Sequence, residues 1–133
     1  TQQRAYLEAV RDIIEMLAIE DNVVIVGRAG QAILQNDPDV LHLRVVAPLE
    51  TRIERIVKAH QISTKAARAQ VEDSDRFRAN YLKRFYQIQW DDPSLYHLVI
   101  NTGKISLETS AEVVCSALRN APNHIPSQES DLA

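Results

Sequence analysis

The sequence predicts an α/β fold, an open parallel sheet with flanking helices, and three observations lead to it. Short runs rich in β-branched residues alternate with stretches of helical periodicity, which is the grammar of βαβ units. The first run, "VVIV" at 23–26, is apolar throughout, as expected of a strand buried on both faces of a parallel sheet. The residues with chemical capacity follow directly after the runs, at Gly27-Arg28, Ala47-Pro48 and Asn101-Thr102. In open α/β sheets, ligands collect at those carboxyl ends.

In chain order, residues 4–19 place Leu7, Val10, Ile13, Ile14, Leu17 and Ala18 on one helical face. Asp21-Asn22 breaks that period and the 23–26 strand follows. Gln31–Leu34 makes a short helix before the "NDPD" turn. "VLHLRVVA", 40–47, is the second strand, and Pro48 starts an amphipathic helix with Leu49, Ile53, Ile56 and Val57 inward. Ser63 caps a helix running from Thr64 to Phe85. Its segment 72–80, "EDSDRFRAN", has almost nothing to bury and is expected to be an exposed excursion rather than a core helix. Asp91-Asp92 shapes the turn into the third strand, 95–101, and Ser106 caps the last helix. One domain is expected over 1–121, with a disordered polar tail at 122–133.

The chain has 133 residues, 45% hydrophobic and 25% charged, the balance of an ordinary soluble globular domain. A net charge of −3 speaks against a nucleic-acid or anionic-membrane partner. No apolar run approaches the ~20 residues that span a bilayer. A single cysteine, Cys115, is expected in the core and suits a reducing, cytoplasmic setting. Charge is unevenly spread: residues 52–84 carry +5 and the remainder −8. A basic surface confined to one stretch suits a small anion. No His, Cys and acid grouping has metal-ligand spacing, and His42 reads as a core histidine.

Four segments in order, "VGRAG", "APLETRIER", "DSDRFRANYLKRFY" and "YHLVINTGKISLE", resemble the C-terminal half of the cytidylate kinase-like family. This family is a branch of the nucleoside monophosphate kinases, and the resemblance covers roughly residues 5–118. It implies ATP- and Mg-dependent phosphoryl transfer to a nucleoside monophosphate or similar small phosphorylated ligand on a P-loop core. Arg28, with Gly27 before it, matches the arginine that holds the acceptor's phosphate. Asp75 and Arg78 match the lid motif of about 62–88, with Arg76, Arg52 and Arg55 as basic neighbours. Arginine suits this chemistry, because a planar guanidinium pairs with phosphate oxygens bidentately and phosphoryl transfer asks for positioning and positive charge.

The sequence also departs from the family. No G-x-x-x-x-G-K-[ST] occurs, so no element here cradles the ATP phosphates. Ala29 stands where cytidylate kinases carry an acid, and Val71 near where a further lid arginine falls. The opening "TQQRAYLEAV" is already helix-forming, so a portion carrying the P-loop is expected to be missing, by truncation or by divergence. The strand that feeds that loop separates strands 23–26 and 41–46 in the family. Their edges should therefore pair with each other, with the missing segment, or with a second chain in a homodimer.

The bland reading of Arg76, Arg78 and Asp75 is a solvated helix face with an Asp75–Arg78 pair, and Arg52 and Arg55 read as surface charges. The leading function is the acceptor-binding and lid half of a nucleoside monophosphate kinase-like phosphotransferase. The alternative is a non-catalytic nucleotide-sensing or interaction domain derived from one. In either case the 133-residue chain alone should show no ATP-dependent turnover with any nucleoside monophosphate in a coupled assay. Measurable turnover by the purified chain would overturn that expectation.

Overall fold

The computed structural model describes residues 1–120, so the tail expected at 122–133 lies outside the described residues. It forms two compact units, Thr1–Val40 and the chain from Leu41 onward. Across both, five helices and one parallel pair of strands make up an α/β fold.

The amino-terminal unit holds helix α1 (Gln2–Glu20), capped by the Thr1 hydroxyl, which accepts from Arg4 N–H, and the single turn α2 (Gly30–Ile33). Ile14, Ala29 and Leu34 are its buried apolar residues. The apolar face expected on α1 is only partly covered, with Ile14 buried and Ile13 exposed. Val23–Val26, expected as a buried strand, joins no ladder among the described residues, and Val24 and Val26 are 92% and 85% exposed. A β-branched run becomes a strand only when a neighbour takes up its backbone N–H and C=O groups. The two strands that do pair both belong to the other unit.

In the second unit, β1 (Leu43–Val46) pairs in parallel with β2 (Leu98–Asn101), in the register Leu43↔Leu98 to Val46↔Asn101. A parallel pair needs a crossover. Here it is supplied by α3 (Leu49–His60), α4 (Thr64–Tyr86) and a 3₁₀ turn at Pro93–Leu95. The crossover has its own core: Ile53 on α3 packs with Ala67 and Val71 on α4, all three nearly inaccessible. Helix α5 (Leu107–Arg119) follows β2, and its Ser106 cap accepts from Thr109 N–H as expected.

Two expectations change here. Segment 72–80 is largely exposed, with no residue buried, as expected, but it runs on as a regular part of the 23-residue α4. Val71 and Leu82, three turns apart, fall on one buried face and hold the helix down on either side of the polar stretch. Cys115 is exposed rather than in the core, because it lines an open apolar groove between α5 and the Leu43, Val45 and Ile100 face of the sheet.

Both ends of the strand pair are pinned. At the start, His42 N–H donates to His97 Nδ1 at 2.9 Å, His97 N–H donates back to His42 O at 2.8 Å, and the two rings stack. At the other end Thr102 N–H donates to Val46 O at 2.8 Å, and the Asn101 side chain accepts from Gly103 N–H. Gly103 sits so close to the Pro48 ring that a Cβ there would meet Pro48 Cδ at 2.5 Å. That ring is tied to the backbone and cannot swing aside. Gly103→Ala should therefore destabilise the chain by about 1–3 kcal/mol. Urea unfolding would show it as a lower midpoint with an unchanged slope.

Candidate functional site

In the amino-terminal unit the chain turns through three consecutive residues of positive φ: Gly27 at 73°, Arg28 at 56° and Ala29 at 62°. Gly30 N–H closes the turn onto Gly27 O at 3.2 Å. A Cβ at Gly27 would meet nothing, so the backbone conformation alone calls for glycine there. Arg28 and Ala29 carry the strain of that conformation with side chains, on the order of 1–2 kcal/mol each. Ala29 is held by burial and by accepting the first α2 bonds, from Ala32 and Ile33 N–H at 2.9 Å. Arg28 is the exposed corner of this rigid turn, and its guanidinium has no hydrogen bond or ion pair among the described residues. Strained corners of this kind cluster at ligand sites.

The second unit gathers a cluster around Asp75 on α4. Arg52, from α3, donates Nη1 to Asp75 Oδ2 at 2.7 Å and Nη2 to Oδ1 at 2.6 Å, a bidentate pair with about a third of each side chain exposed. Those hydrogen bonds, with the Arg52 charge and the fields of Arg78 and Arg44, hold the Asp75 carboxyl below the usual carboxylate range against its partial burial. Arg52 is raised by the same partner.

With both Asp75 oxygens taken, Arg78 does not form the expected i,i+3 pair. Its Cζ lies 5.0 Å from the centroid of the Trp90 ring, and Arg44 from β1 lies 4.7 Å from the same ring. The Tyr96 hydroxyl, donating to Trp90 O at 2.6 Å, anchors that loop. Arg76 lies outside the cluster, paired with Asp73 in the open.

Arg52 and Arg55 are thus not plain surface charges. Arg55 donates to the Thr102 Oγ1 and carbonyl oxygen at 2.8 and 2.9 Å, tying α3 to the end of β2. Asn101 and Asp92 have the turn-shaping roles expected, Asp92 accepting from Ser94 N–H. Sequence reasoning missed Arg44 and Trp90. Each left a signal: a charge inside an otherwise apolar strand and the sole tryptophan of the chain.

A profile of the cytidylate kinase-like family matches residues 1–104. The chain belongs to the cytidylate kinase-like family. A cytidylate kinase of Methanocaldococcus jannaschii is 37% identical over 107 residues, 78% of this chain and 60% of that protein. A protein of Corynebacterium glutamicum named uronate isomerase is 34% identical over 116 residues, 86% of this chain but 22% of its own length. The chain thus spans between about a fifth and three fifths of these curated relatives. A solved protein of Eubacterium ventriosum superposes over 84% of this chain and 62% of its own with a TM-score of 0.73. At 20% identity it speaks for the fold alone.

The cytidylate kinase-like family implies ATP and Mg. The sequence has no phosphate loop, and no group of three or more His, Cys, Asp or Glu among the described residues could hold a metal ion. No helix among them is long and apolar enough to cross a membrane.

The Arg52–Asp75 clasp has a pH signature. A carboxyl whose folded pKa is depressed adds stability that is present above its unfolded value, ~3.9, and lost as pH falls through the folded one. Asp75→Asn should cost on the order of 0.5–1 kcal/mol near neutrality, the range for a partly exposed pair. The cost should vanish under acid, shown by urea unfolding curves of both proteins converging as pH falls below the ordinary carboxylate range.

Proposed function

We propose that this chain is the acceptor-binding and lid half of a nucleoside monophosphate kinase-like phosphotransferase. The observation that carries the reading is Arg28, a guanidinium with no protein partner on a strained, rigid corner. Such a group is free of competing acids, so binding an anion breaks no existing ion pair, and the turn fixes the point of the backbone from which it reaches. Its planar fork suits the acceptor's phosphate, and Gly27 supplies the turn.

Arg78, unpaired with any acid, is the lid arginine that stabilises charge on the transferring phosphoryl group. Asp75 acts through Arg52: it is ionised and spent on that pair, so it orders the lid helix rather than abstracting a proton. Arg76, in the open, contributes positive potential. When bound, ATP with Mg supplies the phosphoryl group, and the elements that hold them would come from a further segment or a second chain that also completes the sheet. A cytoplasmic setting belongs to the same proposal.

A second reading is a nucleotide-sensing or protein-interaction domain, derived from such a kinase, that binds without catalysis. Both readings place the anion on Arg28. One charge-assisted hydrogen bond is worth ~1.5–3 kcal/mol, so Arg28→Ala, which removes at least one, should weaken binding of cytidine monophosphate by about 10- to 100-fold or more in calorimetry. Unchanged affinity would remove Arg28 from the site and the reading with it.

A further inference from the structure

The second unit contains more positive charge than its own acids answer. Arg44, Arg52 and Arg78 come from three different elements, and all three act on the one carboxylate of Asp75. Arg52 alone takes both of its oxygens. The guanidiniums of Arg44 and Arg78 have no hydrogen bond or ion pair among the described residues, and the Nε of Arg44 is buried without a partner. The acids that follow Trp90 do not answer them either: Asp92 is committed to Ser94 N–H, and Asp91 pairs with neither arginine. The other nearby acids on α4 serve elsewhere, Asp73 with Arg76 and Glu72 in the field of Arg68.

Two guanidiniums of like charge are therefore held over one indole ring, at 4.7 and 5.0 Å from its centroid. Cation–π attraction offsets their repulsion, and stacking of this kind uses the face of a guanidinium, leaving its N–H edges available. Three guanidiniums against one carboxylate leave a surplus of two positive charges, the charge of a phosphate dianion with opposite sign.

We propose that Arg44 and Arg78, supported on Trp90, form a two-pronged clamp for a dianionic phosphate group. Arg44 is then a ligand-contacting residue and Trp90 the positioning residue that aligns both prongs. The clamp rests on the reading of Arg78 as a phosphate contact and adds Arg44 and Trp90 to it. Binding replaces the mutual repulsion of the prongs with charge-assisted hydrogen bonds and shifts both cations relative to the indole.

Trp90 is the sole tryptophan, so its emission reports the clamp directly. The full chain is titrated with inorganic phosphate and, separately, with cytidine monophosphate, against chloride at matched ionic strength. A saturable emission change with phosphate and none with chloride is expected. Arg44→Met, which keeps the stem and removes the buried Nε, should weaken it at least tenfold with the thermal unfolding curve retained. Arg44→Lys, with charge but no fork, should fall between. A response to phosphate without one to the nucleotide keeps the clamp and makes free phosphate its ligand. No saturable response, or an Arg44→Met protein that binds like wild type, overturns the clamp. If Arg28→Ala abolishes nucleotide binding while Arg44→Met leaves it intact, the acceptor reading stands and the clamp falls. The reverse pattern keeps the clamp and removes Arg28.

Discussion

The second unit is organised by one ion pair. By engaging both carboxylate oxygens of Asp75, Arg52 ties α3 to α4 midway along the long helix, where the apolar face is interrupted. Without that clasp the polar stretch between Val71 and Leu82 would lose its ion pair to α3. The clasp also decides what remains free. A carboxylate that is bidentate to one guanidinium has little left for another, so Arg78 and Arg44 turn to an aromatic ring instead of an acid. The positive potential of the unit is thus a consequence of how its negative charge is used.

The strand pair depends on its ends more than on its length. Each strand has four residues, too few for side-chain packing alone to set the register. The His42–His97 bonds at one end and the Thr102–Val46 bond at the other fix it. Arg55 reinforces the second end by holding Thr102 through side chain and backbone, and the Pro48–Gly103 approach leaves no room to slide. The carboxyl end of the sheet is therefore rigid. Charges carried on α3 and α4 are presented from that rigid base.

The amino-terminal turn reaches a similar result by different means. Its rigidity comes from backbone strain held in place by the burial of Ala29, not from a salt bridge. In both units an arginine is left without an acid: Arg28 at the turn, and Arg44 and Arg78 against the Trp90 ring. Unanswered positive charge of this kind is what the proposed phosphate chemistry would draw on.

Much of this was legible in the linear sequence. Helix caps at Ser63 and Ser106, the turn at Asp92-Pro93 and the parallel βαβ order follow from local chemistry and periodicity, which need no distant partner. The family was readable from motif order, and Arg28 from its place after an apolar run. What only the tertiary structure decided is which charge meets which. Arg52 and Asp75 are 23 residues apart, Arg55 and Thr102 47 apart, and no local rule pairs them. The same holds for Val23–Val26, whose residues favour a strand while no backbone among the described residues pairs with it. Propensity is a property of a residue and its near neighbours, whereas strand pairing and ion pairing belong to groups that only folding brings within reach.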